Sequence, residues 1–295
     1  MLALPVSGQQ LPVGSKDVLP RVSLEEGPPG PGKLVQVTSP EYRGTEVFHT
    51  LYLPKDWKKN GKPRPIMFEY TGNFWPPGKS SGEPEDARLG YGLSGGRYIW
   101  VSLPYVNRKK TDNERTWWGD TAATVQYAKT NVPRIIKDYG GDTNAVFLCG
   151  FSRGAIGVNF IGLHDDEIAK LWTAFIAHDH FDGAKAWRGT GWGAPLKTYR
   201  AAASNRLMRV NGRPYMVRGN GGRSDTERFV KSVLPQHDNF YFYDVDVRTI
   251  FPSIPNDLVI HPHTDRWLFP PSVYRDNAWR WMNRVALPSE YQGKP

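Results

Sequence analysis

Gly150-Phe151-Ser152-Arg153-Gly154 is the part of this chain with the most chemical potential. A serine flanked by glycines two before and two after can sit on a turn too sharp for larger residues. It follows the short apolar run 145–149 (AVFLC) and precedes a helical pattern through about residue 163. A strand–turn–helix of this kind exposes the hydroxyl at a helix N-terminus, where partial positive charge favours a developing oxyanion. The chemistry expected is nucleophilic attack by Ser152.

Such a serine needs a base, and the base needs an orienting acid. The chain has seven histidines: His49, His164, His178, His180, His237, His261 and His263. Aspartates follow the run 171–177 as Asp179 and Asp182, and Asp225 follows the run 214–218. His178 and His180 with Asp179 and Asp182 resemble a metal cluster. Residues i and i+2 at a strand end point to opposite sides, however, so no metal is expected there. A place at the cleft rim suits His180 better.

The elements that must position these groups alternate. Residues 34–38 and 47–53 read as an antiparallel strand pair around a turn at 39–44. Runs at 65–70, 97–103, 145–149, 171–177, 214–218 and 240–247 read as further strands. A helix from about Thr121 to about Asp138 has Asp120 as its cap and Gly140-Gly141 as its stop, and Pro133 predicts a kink or break. The last helix spans about 274–285. Apolar strands alternating with helices imply an α/β fold, a mostly parallel sheet covered on both faces. Residues 1–32 are rich in Pro and Gly and read as a flexible arm before one catalytic domain over 33–295.

The chain resembles the α/β-hydrolase superfamily over roughly residues 33–290, with the nucleophile elbow as the most specific shared motif. Arginine after the serine is further similar to the elbow of glucuronoyl-type carbohydrate esterases, which have cysteine where Phe151 stands here. The resemblance implies the chain order serine, acid, histidine. It makes His263 the base, with His261 as the alternative, and Asp225 the acid, with Asp179 and Asp182 as rivals. It implies an oxyanion hole from the Arg153 amide and from Asn73 or Phe74 in the loop Thr71-Gly72-Asn73-Phe74. The Arg153 side chain is expected near the oxyanion, on a substrate carboxylate, or in a surface salt bridge. The activity implied is cleavage of a carboxylic ester through an acyl-enzyme, with no cofactor. A serine peptidase of the same fold and a catalytically silent binding protein are the alternatives.

The chain holds 11 tryptophans. Trp75, Trp118, Trp192 and Trp267 fall in loops or element ends near the expected site, as do Trp117 and Trp187. Aromatic faces there would stack on a sugar ring or an aromatic acyl group, so a carbohydrate-linked or aromatic ester is the expected substrate; packing is the competing role.

The remaining composition sets bounds. At 295 residues the chain is long enough to bury a large core without staples. Its single cysteine, Cys149, excludes a disulfide framework and multi-cysteine metal sites. No apolar stretch approaches the roughly 18 residues of a membrane span. The net charge of +9 is scattered, with the longest basic runs at Lys58-Lys59 and Arg108-Lys109-Lys110, which argues against nucleic acid. The opening residues are faintly signal-like, so a secreted or periplasmic location is expected over a cytoplasmic one.

Overall fold

Short strands that are apolar along most of their length must be covered on both faces, and here they are. The computed structural model describes residues 9–219, 223–251 and 262–287. Its strands are β1 (Leu34–Val37), β2 (His49–Tyr52), β3 (Arg64–Tyr70), β4 (Ile99–Leu103), β5 (Gly141–Phe151), β6 (Ala174–His178), β7 (Tyr215–Gly219) and β8 (Phe240–Asp244). They form one eight-stranded sheet in the order β1-β2-β4-β3-β5-β6-β7-β8. β1 pairs antiparallel with β2, and β2 antiparallel with β4. Every other pair is parallel.

The helices are α1 (Leu89–Ser94), α2 (Thr121–Tyr139), α3 (Arg153–Phe160), α4 (Asp166–Ala169), α5 (Leu196–Met208), α6 (Arg223–Val233), α7 (Val247–Ile250) and α8 (Val273–Trp281). Ile66, Phe68 and Tyr70 of β3 join Val146 and Leu148 of β5 in a core shared with α2, α3, α5 and α6. Met67, Phe147 and Cys149 point the other way, into a core shared with α1, α7 and α8. This period of two explains why β3 is apolar throughout its buried length except at Glu69.

The Asp120 carboxylate accepts from the Ala123 amide at 2.9 Å to start α2, and Gly140 ends it at φ 72°. The helix continues across Pro133, where the sequence suggests a kink or break. Val132 and Ile135 are buried on the sheet, and that packing outweighs the backbone bond Pro133 cannot make.

Residues 9–32, which their composition marks as a flexible arm, are tied to the end of the domain. Leu11 is buried and exchanges two hydrogen bonds with the Asn283 side chain, both 2.9 Å. The buried Arg275 guanidinium donates to the carbonyls of Asp17 at 2.8 Å and Ser15 at 2.6 Å. Pro and Gly restrict this segment to extended and turn conformations, but its carbonyls still satisfy a buried cation. The sheet's carboxyl edge brings together the segments that follow β3, β5 and β6, and there the site forms.

Candidate active site

The elbow is built from steric necessity. Ser152 adopts φ 56°, ψ −118°, a conformation that costs a non-glycine residue energy unless its surroundings enforce it. A side chain at Gly154 would bring its Cβ to 1.7 Å from the Tyr70 carbonyl oxygen. One at Gly150 would bring it to 2.1 Å from the Gly154 carbonyl oxygen. Both glycines are therefore required for β5 and α3 to meet at this angle. The Ser152 amide donates to the His178 carbonyl at 3.1 Å, which fixes the elbow to the end of β6.

The residue after His178 brings a carboxylate to the sheet edge. Asp179 has φ 76° and donates its amide to the Arg218 carbonyl at 2.8 Å. Its carboxylate meets Nδ1 of His263 at 2.6 Å. A bond this short, with Asp179 nearly inaccessible, orients the imidazole and fixes Nδ1 as the protonated nitrogen. The His263 ring lies 4.5 Å from that of Phe151, the neighbour of Ser152. His178 Nε2 pairs with the Thr264 carbonyl at 3.1 Å and so anchors the segment that presents His263.

The carboxylate that meets His263 is therefore not that of Asp225, the residue expected beside it. Asp225 lies in the first turn of α6, and its carboxylate pairs with Arg228 at 2.8 Å, where both side chains are largely exposed. It lines a cleft of about 150 Å³ together with Asp179 and His180. Asp182 is fully buried and accepts two hydrogen bonds from Arg206, at 2.7 and 3.0 Å, which makes it a packing anchor for α5. His261 lies outside the described residues.

Of the two loop residues expected to donate to an oxyanion, the Phe74 amide is engaged by the Arg115 carbonyl at 2.7 Å. The Phe74 ring is exposed under the Arg115 guanidinium. Asn73 uses its side-chain oxygen to accept from the Trp117 amide at 2.8 Å and its carbonyl to accept from Ser80 Oγ at 2.8 Å. Gly72 brings this loop against the elbow: a Cβ there would lie 3.6 Å from Ser152 Cβ.

The Arg153 side chain fills none of its expected roles. It is fully buried, and burial pushes its pKa down to about 10. Its two terminal nitrogens donate to four carbonyls: Glu114 at 3.2 Å, Trp117 at 2.9 Å, Gly72 at 2.8 Å and Gly82 at 2.9 Å. It also stacks over Tyr105 at 4.0 Å. One cation thereby sews the 72–82 and 114–117 loops to the elbow. Nothing local in the sequence signals this, because the four acceptors are backbone groups far away in the chain.

The aromatic residues divide. Trp75 lines a narrow cleft with Gly72, Phe151, His263 and Arg266, its ring nearly perpendicular to that of His263 at 5.8 Å. Trp118 and Trp267, expected as substrate contacts, are buried packing residues. Trp118 stacks on Phe160 at 4.5 Å, and Trp267 lies under Arg218. Trp192 packs at 5.0 Å against both Trp117 and Trp118. His180 lies 5.3 Å from His263 and 4.9 Å from Trp187, and burial pushes its pKa down to about 3, so it is neutral near pH 7.

Comparison with protein-family models and with curated proteins yields no match. Solved structures do match. An inhibited esterase B from Lactobacillus rhamnosis is 14% identical at a TM-score of 0.50, over 86% of this chain and 86% of that one. The feruloyl esterase module from Clostridium thermocellum, complexed with sinapinate, is 13% identical at 0.48, over 78% and 89%. The AtxE2 isopeptidase is 13% identical at 0.46, over 88% of this chain and 41% of that one. At these identities the likeness is one of fold.

Proposed function

We propose, from the α/β-hydrolase fold of this chain and the residues gathered at its carboxyl edge, that it is a serine hydrolase of carboxylic esters. The observation that carries this is the strained Ser152 elbow next to an imidazole held at 2.6 Å by a buried carboxylate. Both conformational strain and a buried charge cost stability, and their coincidence at one edge of the sheet fits a nucleophile and its base.

Ser152 Oγ attacks the ester carbonyl while His263 Nε2 takes its proton. Asp179 stays ionised and stabilises the imidazolium through Nδ1–H. The carbonyl oxygen becomes an oxyanion held by the amides of Arg153, at the start of α3, and Asn73, since Phe74 is committed to Arg115. The Arg153 guanidinium acts indirectly, by holding the Gly72 carbonyl and so the loop that carries the second donor. Collapse of the intermediate expels the alcohol, protonated by His263. A water deprotonated by the same imidazole then releases the acid and regenerates Ser152 Oγ–H.

The rings of Trp75 and Phe151 flank the cleft at His263, which supports a substrate with a flat face, an aromatic acyl group or a sugar. Turnover of p-nitrophenyl acetate, methyl cinnamate and an acetylated xylo-oligosaccharide tests the assignment. The expected result is a burst of one alcohol per protein followed by steady turnover, absent in Ser152→Ala. Cleavage of peptide amides without any ester turnover would select a peptidase instead.

A further inference from the structure

Below the site, on the α1 and α8 face of the sheet, two carboxylates are buried side by side. Glu69 is the one charged residue in the buried length of β3 and is fully inaccessible. Its Oε1 accepts from the Leu89 amide at 3.1 Å, and its Oε2 from the Gly90 amide and the Trp100 indole, both 2.8 Å. Asp265, two residues after His263 and also buried, accepts from the preceding amide, that of Arg88, at 2.8 Å. Three consecutive amides thus hold two carboxylates, one from the central sheet and one from the segment bearing the imidazole. The fit is close: a Cβ at Gly90 would lie 2.9 Å from Glu69 Oε2 and 2.7 Å from Trp100 Cδ1.

We propose that Asp265 is a positioning residue for His263 and that Glu69 sets the charge state of this anchor. Asp265 ties the histidine segment to the start of α1, as the His178–Thr264 bond ties it to β6. With one of the two acids protonated they need not repel; with both ionised, the anchor is pushed from its place. The charged and titratable groups facing the pair are Arg88, Arg266, Cys149 and Tyr105. The Arg88 guanidinium is committed to the Glu85 and Ala87 carbonyls. Burial and the Asp265 charge push Glu69 up to about 8, so the second ionisation falls at mildly alkaline pH.

The test uses the full chain and rests on the serine chemistry proposed above. Asp265→Asn keeps an oxygen for the Arg88 amide and removes one of the two charges, copying the singly ionised pair; Asp265→Ala removes the anchor. Wild-type kcat is expected to fall above about pH 8, and Asp265→Asn to hold its neutral kcat without that alkaline limb. Asp265→Ala is expected to lose at least about tenfold in kcat at pH 7 with KM changed less than about twofold. The low-field NMR signal of the His263 Nδ1 proton follows the same anchor without turnover. It is expected to persist in Asp265→Asn and to broaden or shift in Asp265→Ala. An alkaline limb unchanged in Asp265→Asn overturns the proposal, even if Asp265→Ala does not fold. So does a folded Asp265→Ala with wild-type kcat or an unmoved Nδ1 proton. A wild type that is inert to esters refutes the serine chemistry instead, and the NMR signal still decides the positioning role.

Discussion

Replacing Asp179 by Asn separates the two candidate acids in one experiment. The Asp179–His263 contact is 2.6 Å with the aspartate almost wholly buried, so water screens it little. Taking the imidazolium and carboxylate charge centres as about 4 Å apart at an effective dielectric of about 20, the attraction is about 4 kcal/mol. That corresponds to about a thousandfold in kcat. An amide at the same place also favours the wrong imidazole tautomer, which raises the expected loss toward about ten-thousandfold. Asp225→Asn removes only an exposed pair with Arg228 and should leave kcat unchanged and stability within about 0.5 kcal/mol. The assay is p-nitrophenyl acetate turnover at pH 7.5, with thermal unfolding of both variants as the control for folding. A folded Asp179→Asn within tenfold of wild type, or a large loss in Asp225→Asn, would refute the assignment of the acid.

Three further outcomes follow from the geometry. Gly154→Ala places a Cβ 1.7 Å from the Tyr70 carbonyl oxygen and should cost more than about 3 kcal/mol in urea unfolding; a loss below 1 kcal/mol would show that the elbow relaxes freely. Arg153→Met leaves four carbonyls without their shared donor and should cost about 3–5 kcal/mol, with any folded fraction losing kcat as the Gly72 loop drifts; unchanged stability contradicts the sewing role. His49 is buried against the Tyr127 hydroxyl at 2.7 Å, and burial pushes its pKa down to about 3. The neutral ring's contribution is complete above the unfolded pKa of about 6.5 and is lost at about 1.4 kcal/mol per pH unit as pH falls toward 3. Unfolding of His49→Gln at pH 7, 6 and 5 should show a slope shallower by about half that amount between pH 7 and 6 and by nearly all of it between pH 6 and 5, and equal slopes would count against it.

Local information made part of this legible from the sequence. The elbow could be read because a strand, a glycine-framed serine and a helix are contiguous in the chain. The antiparallel β1–β2 pair and α2 could be read because turn and cap residues bound them. From the sequence Asp179 reads only as a rival, because the acid's place follows there from the resemblance, whereas the Asp179–His263 contact joins two loops 84 residues apart. A signal was available: the His178-Asp179-His180 triplet ends an apolar strand. Trp118 and Trp267 were expected at the surface of the cleft because they lie near loops, yet their size makes them better core material than platforms. Glu69 carried a legible mark as the one acid in a buried strand, while its three donors come from helix and strand positions that only the fold brings near.

The most direct test of the central claim is intact-mass analysis after treatment with a fluorophosphonate, with the adduct mapped by peptide sequencing. The account predicts one adduct per chain, on Ser152, absent in Ser152→Ala and formed far more slowly in His263→Ala. A folded wild type that stays unlabelled, or that carries the adduct on another residue, would contradict it.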